Sequence, residues 1–486
     1  MDNLIKQDRV TFQEEQDQLL ETILNARFFR GWKRGRNVNY SDTPLGSMEI
    51  YLTSTCNQKC EYCYLVKHPE LYPAEYNKKE IVLKNLRHLL DWALDNQFHF
   101  PQIELYSGEI WHTDYGVEVL DICLSYVKRG LEVEEFLIPT NGSFLRDEHQ
   151  ILKMEYFIRE FRKHFSSLRF SLSIDGAVIE NMNRPLNSGE QKQDEFYERA
   201  FMFAKKHGHG FHPMLSAKSA KYWIENWQWW KKKLHEYDLP MNYCMILEVR
   251  NDDWEDEDIE HLKAFIRHTI KEAVNFHDGD MGCLAEDIFA INQTYFTEHY
   301  GMIYESNMPY VPLLIGENKG YHGCTVATAL TVRLGDMAIC PCHRTSYNKN
   351  LYGWFRQNEE GEIVGIKANN PQQAVNIFMM DQKAANAGCD TCIYAPVCLG
   401  GCLGVQMETN KDPFMLVPGV CKMLKEKYKC CFETYEEIGL FDWMRKNITP
   451  YHVWYPQLER LMDVWDKIKE EKRRERLAEL RQDFYR

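Results

Sequence analysis

Six short apolar runs alternate with amphipathic segments between residues 48 and 249, and this alternation constrains the fold more than any other feature. The runs are candidate strands at residues 48–53, 102–106, 135–138, 168–174, 210–215 and 243–249. The segments between them, such as 79–95 and 155–164, have the apolar periodicity of helices. Repeated strand–helix alternation predicts an α/β fold with a parallel sheet or barrel, in which chemistry gathers at the C-terminal ends of the strands.

Charge and hydropathy exclude some classes of function. The net charge of −14 disfavours a surface that follows nucleic-acid phosphates, so we expect no nucleic-acid partner. No uncharged apolar run is long enough to span a membrane, and the N-terminus lacks the apolar core of a signal peptide. We therefore expect no membrane contact and a cytoplasmic location, where the 16 cysteines suit thiolate ligation better than disulfides.

Three cysteines follow the first candidate strand in the segment TSTCNQKCEYCYL. Cys56, Cys60 and Cys63 have C-x3-C-x2-C spacing. Three thiolates on one short loop can hold three irons of a cubic cluster and leave a fourth iron open to a small molecule. A structural zinc site is the alternative, but zinc normally takes four ligands, and three cysteines at unequal spacing fit it poorly.

A second cysteine array occupies the C-terminal part of the chain. Its first unit has C-x10-G-x4-C spacing and consists of Cys324, Gly335 and Cys340. Its second unit has C-x2-C-x5-C-x3-C spacing and is followed by one more cysteine, giving Cys389, Cys392, Cys398, Cys402 and Cys421. A zinc ribbon could use the four-cysteine unit alone, but it would not explain the other three cysteines.

The first loop resembles the signature of the radical S-adenosylmethionine (SAM) superfamily, and the second array resembles its SPASM extension, a feature of enzymes that mostly modify peptides and proteins. The resemblance implies a partial (β/α)6 TIM-like barrel with a C-terminal iron–sulfur SPASM domain and flanking helices. The implied divisions are an N-terminal helical segment, the barrel, a bridging region, the SPASM domain and a C-terminal helical segment, at residues 1–45, 46–255, 256–320, 321–425 and 426–486.

The resemblance implies SAM and three 4Fe–4S clusters as cofactors. The first cluster would be held by Cys56, Cys60 and Cys63, and its open iron would chelate SAM. One electron would then cleave SAM to methionine and a 5′-deoxyadenosyl radical, which abstracts a hydrogen atom from the substrate.

The same resemblance implies ligands for two auxiliary clusters. The distal cluster would be held by Cys389, Cys392, Cys398 and Cys421. The proximal cluster would be held by Cys324, Cys340 and Cys402. Its fourth ligand is not assigned: Cys342 is the first choice, Cys283 is the second, and the third possibility is an iron without a protein ligand.

Further motifs at the strand ends resemble SAM-binding elements of the family. Ser107-Gly108-Glu109 resembles its Gly-Gly-Glu motif with serine in place of the first glycine, and Glu109 would accept hydrogen bonds from the SAM ammonium group. The other implied SAM contacts are Tyr62, Asn141, Ser173 and Arg184, of which Arg184 would bind the SAM carboxylate. Plain turns at Gly108 and Asn141, and a surface role for Arg184, are the alternatives.

These features predict an enzyme that oxidatively modifies a ribosomally made peptide by a crosslink or by side-chain or backbone modification. The alternatives are a dehydrogenase or related enzyme acting on a small molecule, a sulfatase-type maturase and a non-catalytic metal scaffold. Pro341 stands where the sulfatase branch has an acidic residue, and the intact Cys56 loop followed by Glu109 disfavours a scaffold. No catalytic acid or base is assigned.

Three kinds of partner are expected for such an enzyme. They are a precursor peptide, a reductant such as flavodoxin or ferredoxin, and a separate leader-recognition protein. Because residues 1–45 are short for a leader-binding domain, either such a separate protein or the N- and C-terminal helices would capture the leader.

Overall fold

The structure is a computed structural model that describes residues 2–34, 46–244, 246–286, 329–379, 388–398, 401–452 and 454–484. The chain divides into two compact units. The first unit comprises residues 1–212, 320–381 and 402–413, and the second comprises residues 213–319, 382–401 and 414–486.

The first unit contains most of the described secondary structure. Its strands are β1 (Ser47–Thr53), β2 (His99–Ser107), β3 (Glu132–Thr140), β4 (Ser167–Leu172), β7 (Ala329–Arg333), β8 (Ala338–Cys340), β9 (Gly353–Gln357) and β10 (Ile363–Ala368). Its helices are α1 (Asp2–Leu24), α2 (Arg30–Arg34), α3 (Tyr64–Lys67), α4 (Lys79–Asp95), α5 (Gly116–Lys128), α6 (Glu148–Lys163), α7 (Glu180–Asn183), α8 (Asp194–His207), α11 (Pro371–Met379) and α12 (Leu403–Asn410). A π-helical turn at Asn25–Phe29 joins α1 to α2.

The second unit is largely helical in its described residues. Its helices are α9 (Trp223–Glu236), α10 (Asp256–Phe276), α13 (Pro418–Glu437), α14 (Leu440–Asn447) and α15 (Tyr455–Phe484). Its strands β5 (Met214–Leu215) and β6 (Leu247–Glu248) pair in parallel with each other.

One eight-stranded sheet organises the first unit, in the order β10-β9-β8-β7-β1-β2-β3-β4. Strands β7, β1, β2, β3 and β4 run parallel, whereas β7 through β10 form an antiparallel series. The parallel strands β1 to β4 alternate with helices along the chain, so the expected α/β fold is confirmed as a mixed sheet surrounded by helices. The antiparallel strands β8 to β10 and their link through β7 to β1 were not anticipated.

The fifth and sixth candidate strands are much shorter than expected. Phe211 forms a single parallel bridge with Leu172 at the end of β4, and His212 N–H donates to the Leu172 carbonyl at 2.8 Å. Pro213 follows and has no N–H with which to continue such a ladder. Only the two-residue strands β5 and β6 remain of these runs.

The parallel strands have one apolar face and one polar face. The apolar face carries Met48, Ile50, Ile103, Leu105, Phe136, Ile138, Leu168, Phe170, Leu330 and Val332, which are adjacent by register and buried. We call the opposite side the polar face; it carries Glu49, Tyr51, Glu104, Tyr106, Glu135, Arg169, Thr331 and Arg333. Among the described helices, none has both the length and the apolar character needed to cross a membrane.

His209 makes the stability of the fold depend on pH. Its ring packs against Phe203 and Phe170, and its Nδ1 accepts the Phe170 N–H at 3.1 Å. Burial lowers the pKa of His209 to about 3, with further lowering by neighbouring cationic groups. This neutral histidine therefore contributes stability that is present above its unfolded pKa of about 6.5 and is lost as the pH falls toward the folded value.

We expect the free energy of unfolding to fall by roughly 2 kcal/mol between pH 6.5 and 5 because of His209 alone. The His209→Asn variant keeps a hydrogen-bond acceptor but cannot take up the proton, so its stability should depend less on pH in this window. The measurement is the thermal midpoint of both proteins from pH 7 to pH 5. Parallel pH profiles would contradict the assignment.

Candidate active site

The loop after β1 places three cysteines at the C-terminal edge of the parallel strands. Cys63 precedes α3, and its carbonyl accepts the N–H groups of Val66 and Lys67. Its own N–H donates to the Cys60 carbonyl at 3.0 Å. Cys60 is buried and Cys56 is partly buried. Burial raises the pKa of both thiols, so a bound metal would be needed to hold them as thiolates at neutral pH.

Residues 185–187, which are distant in sequence, form hydrogen bonds with this cysteine loop. Lys59 N–H donates to the Pro185 carbonyl, and Asn187 N–H donates to the Asn57 carbonyl, both at 2.9 Å. The Asn187 side chain also donates to the Cys56 carbonyl at 3.0 Å. The loop conformation is therefore held by backbone contacts that do not depend on the thiols.

Gly108 lets the end of β2 approach the start of the cysteine loop. Its N–H donates to the Thr53 carbonyl at 2.6 Å, and Glu109 N–H donates to the Thr55 carbonyl at 2.8 Å. A Cβ atom at residue 108 would lie 2.5 Å from the Thr55 oxygen and 2.6 Å from the Ser54 oxygen. The glycine is thus required by close backbone packing. The side chain of Ser107 lies outside the described residues.

We expect Gly108→Ala to lower stability by about 1–3 kcal/mol and to weaken SAM binding, because backbone oxygens cannot move away without displacing the loop. The measurements are the thermal midpoint and SAM affinity of the cluster-loaded protein. Gly419→Ala is the matched control, since an added Cβ there meets no atom within 4 Å. Equal effects of the two substitutions would contradict the packing argument.

Glu109 is fully buried where β1, β2 and β3 end. Thr140 Oγ1 donates to both of its carboxylate oxygens, at 2.9 and 3.0 Å, and Asn141 N–H donates to Oε2 at 2.6 Å. Burial raises the pKa of Glu109 to about 7, although hydrogen bonds from Asn141 and Thr140 favour the charged form. The structure therefore surrounds Glu109 with protein donors, and its contact with the SAM ammonium group stays a prediction.

Asn141 joins this carboxylate to the cysteine loop. Its side-chain Nδ2 donates to Asn57 Oδ1 at 2.8 Å and lies 3.8 Å from Cys56 Sγ. Ser173 N–H donates to the Thr140 carbonyl at 2.7 Å, which brings the end of β4 to the same place. The structure thus brings together the cysteine loop, Glu109, Asn141 and Ser173, as expected for strand-end residues.

Arg184 already has an anionic partner in the protein. Its Nε lies 2.8 Å from Asp175 Oδ1, and its guanidinium lies over the Tyr62 ring at 5.4 Å. Tyr62 Oη and Asn183 Nδ2 each donate to Asp175 Oδ2 at 3.0 Å. Burial disfavours the charged Arg184 side chain, but Asp175 outweighs this effect and keeps the pKa of Arg184 above its ordinary value. Binding of the SAM carboxylate by Arg184 stays a prediction.

The sequence interpretation missed two kinds of residue near this site. Asp175 lies two residues after the predicted SAM contact Ser173, but no sequence pattern indicated that it pairs with Arg184. Glu49 and Glu104 lie side by side in the register of β1 and β2, and both are buried. The sequence did contain a sign of these two glutamates. Strands of a parallel sheet that is buried on both faces are continuously apolar, whereas polar and apolar residues alternate in β1 and β2.

Two of the proximal cysteines approach one arginine in the first unit. Cys342 follows β8, and Cys402 immediately precedes α12. Arg344 forms a bidentate pair with Glu408 at 2.7 and 2.8 Å. Burial of Arg344 would lower its pKa, but the negative charges of Glu408, Cys402 and Cys342 outweigh burial and raise the pKa. Cys340 packs among Ala338 and Leu351. Cys324 lies outside the described residues, and Cys283 is exposed.

Four other cysteines line one cavity of about 60 Å³ in the second unit, and they are the expected distal ligands Cys389, Cys392, Cys398 and Cys421. Turn hydrogen bonds hold the first three, with Cys392 N–H donating to the Cys389 carbonyl and Cys398 N–H donating to the Tyr394 carbonyl. The other lining residues are Gly388, Tyr394, Ala395, Gly401, Leu416, Leu424, Lys425 and Tyr428.

The donor chemistry of this cavity fits an iron–sulfur cluster. Its described lining offers thiols as ligands and neither carboxylates nor imidazoles. Within the described ranges, no three His, Cys, Asp or Glu side chains are arranged to hold a single metal ion. In a cubic cluster each thiolate binds a different iron, so the four thiols need not surround a single metal ion. The absence of a single-ion site among the described residues therefore does not bear on cluster binding.

Comparison with known proteins gives similarity at the level of structure alone. No family model matches the chain, and no curated protein matches its sequence. Among solved structures, hexahistidine-tagged anSMEcpe with bound AdoMet has a TM-score of 0.53 at 16% identity, over 85% of this chain and 98% of that one. Native anSMEcpe with bound AdoMet has a TM-score of 0.50 at 16% identity, over 81% and 99% of the two chains.

The chain shares its overall fold with these AdoMet-bound proteins. This similarity of fold agrees with the family resemblance that the cysteine motifs indicate. A third structure, native anSMEcpe with bound AdoMet and Cp18Cys peptide, has a TM-score of 0.49 at 16% identity, over 81% of this chain and 99% of that one. The described cysteine loop, Glu109 and Asn141 meet at the C-terminal ends of the parallel strands.

Proposed function

We propose that this protein is a radical SAM enzyme that oxidatively modifies a ribosomally made peptide. The observation that carries the proposal is the meeting of the Cys56 loop, Glu109 and Asn141 at the C-terminal ends of β1 to β3. Cys56, Cys60 and Cys63 would hold a 4Fe–4S cluster there. With SAM bound, that cluster supplies a carbon radical able to abstract a hydrogen atom from the substrate.

The residues of the chain position and shield this chemistry. Gly108 brings the β2 end against the loop backbone, and Asn141 fixes Asn57 beside Cys56. Glu109, already held by Thr140 and Asn141, would also accept a hydrogen bond from the SAM ammonium group. A buried site excludes water from reactive intermediates, which suits the low exposure of Glu109 and Asp175.

The finer architecture belongs to the same proposal. In this proposal the parallel strands would belong to a partial TIM-like barrel, and residues 321–425 would carry the SPASM extension with two auxiliary clusters. The distal cluster would occupy the four-cysteine cavity, whereas the proximal one would use Cys324, Cys340 and Cys402 with Cys342 as the preferred fourth ligand. Auxiliary clusters can accept an electron from the substrate, which supports an oxidative outcome.

The partners follow from the chemistry proposed. A one-electron donor such as flavodoxin or ferredoxin would supply the SAM cluster, and a separate leader-recognition protein would present the precursor peptide.

The test of the proposed function is anaerobic reconstitution with iron and sulfide, followed by addition of SAM and dithionite. We expect 5′-deoxyadenosine and, with a precursor peptide encoded nearby, a mass change in that peptide. Full cluster loading without 5′-deoxyadenosine would contradict the proposal.

The four-cysteine cavity makes its own prediction for metal content. Replacing Cys398 and Cys421 together with alanine removes two of its four thiols, so we expect iron to fall from about twelve to about eight atoms per chain. Cys430→Ala is the control, because this buried thiol lies on α13 beside the Lys263 carbonyl and away from the cavity lining. Iron and sulfide analysis provides the measurement, and unchanged iron in the double variant would refute the assignment.

A further inference from the structure

Two buried glutamates form one layer of the polar face. In parallel strands, residues in register lie side by side on the same face, and Glu49 of β1 is in register with Glu104 of β2. Two residues further along, Tyr51 is in register with Tyr106. A carboxyl layer therefore lies directly beneath an aromatic layer, which is nearer to the Cys56 loop.

Glu104 has no hydrogen bond or ion pair with any residue in the described part of the chain, although only 9% of it is exposed. Its neighbour Glu49 accepts a hydrogen bond from Thr331 Oγ1 at 2.6 Å and lies 3.4 Å from His343 Nδ1. Burial raises the pKa of Glu104, and the charge of Glu49 raises it further, whereas the charge of Arg169 lowers it. A buried carboxyl without a partner destabilises the fold, so its presence points to a group that arrives from outside.

The arginines of the polar face are already paired. Arg169 donates to both carboxylate oxygens of Glu135 at 2.9 and 2.8 Å. Arg333 donates in the same way to Asp336 at 2.9 and 2.8 Å. His343 lies beside Glu49, so Glu104 is the carboxyl of this face that has no paired cation among the described residues, and a positive charge would balance its ionised form.

We propose that Glu49 and Glu104 form a subsite that binds a cationic group of the substrate, either a primary ammonium or a guanidinium. Tyr51 and Tyr106 form the next layer toward the Cys56 loop, where the Tyr51 ring packs on Tyr72 and the Tyr106 ring stacks on His343 at 4.0 Å. The identification of the cation as part of the substrate rests on the proposed function, whereas the binding of a cation does not.

The subsite also sets a distance within the substrate. Glu104 lies four residues before Gly108, whose N–H is bonded to the start of the cysteine loop. At about 3.3 Å per residue, the carboxyl layer is on the order of 13 Å from that end of the strand. The cationic group would thus dock well below the reacting atom, and it would orient the substrate without taking part in hydrogen abstraction.

The test measures binding of small probes to cluster-loaded protein in the absence of SAM and reductant. The probes are n-butylammonium, n-butylguanidinium and the uncharged n-pentanol, titrated by calorimetry. We expect at least one cation to bind the wild-type protein with one-to-one stoichiometry and pentanol not to bind. Glu104→Gln should weaken cation binding about ten-fold or more, because it removes a charge-assisted contact, and Glu104→Asp should restore part of the affinity.

Controls separate this subsite from general attraction to an acidic protein. Glu148→Gln removes the same charge from an exposed position and should leave binding unchanged. Glu49→Gln should weaken cation binding as much as Glu104→Gln does. If circular dichroism shows that Glu104→Gln does not fold, Glu49→Gln provides the test of the subsite. Equal affinity in the wild type and these buried variants, or no cation binding by the wild type, would overturn the proposal. Formation of 5′-deoxyadenosine is measured separately, so failure of the proposed function would be recognised independently.

Discussion

Replacing Cys56 with alanine is expected to abolish reductive cleavage of SAM while leaving the auxiliary clusters in place. The loop provides three thiolates for a cluster of four irons. Loss of Cys56 leaves only two thiolates to bind that cluster. Changes next to metal ligands typically weaken metal binding by about 10- to 100-fold, so loss of a ligand should lower the rate by on the order of 100-fold or more. The measurements are the rate of 5′-deoxyadenosine formation and iron content, which should fall from about twelve to about eight atoms.

Cys123→Ala is the matched control for this experiment. Cys123 is fully buried on α5 among apolar residues and is remote in sequence from every cysteine motif. Its removal should alter packing without altering iron content or SAM cleavage. If Cys56→Ala retained wild-type cleavage, or if zinc occupied the wild-type loop after anaerobic purification, the assignment of the first cluster would be wrong.

Asp175→Asn is expected to lower the free energy of unfolding by about 3–5 kcal/mol, because it leaves the buried Arg184 guanidinium without its counter-charge. The Asp175 side chain is inaccessible and that of Arg184 is 8% exposed, so water cannot replace the lost interaction. Tyr62 and Asn183 would also lose the charged oxygen to which both donate. Since Tyr62 lies between Cys60 and Cys63, the damage should extend to SAM cleavage.

Two comparisons test this explanation. Asp91→Asn breaks an exposed ion pair with Arg129 and should change stability by no more than about 1 kcal/mol. The Asp175→Asn, Arg184→Met double variant removes both charges, so it should be less destabilised than the sum of its single variants. Urea unfolding and the thermal midpoint provide the measurements. Additive effects would show that the charges act independently.

Strands β1 to β4 could be predicted because each is a short run with a polar motif at its end. The pattern failed at residues 210–215 and 243–249, where Pro213 and the limited pairing leave two-residue strands. It also failed for β7 to β10, because the candidate strands identified in the sequence end at residue 249. Pairing of β7 with β1 joins segments about 280 residues apart, and no local pattern reports such a contact.

The sequence alone determined which residue types could bind metal and where they lie along the chain, since ligand spacing within one loop is a local property. It also indicated that Gly108 and Glu109 follow a strand directly. The structure showed that Cys421 of α13 lines the same cavity as Cys389, Cys392 and Cys398, the grouping that the resemblance implied. Only the tertiary structure decided that Asp175 neutralises Arg184 and that Glu104 lies beside Glu49. These relations depend on strand register and burial, which arise when distant segments pack, and so they leave no signature in neighbouring residues.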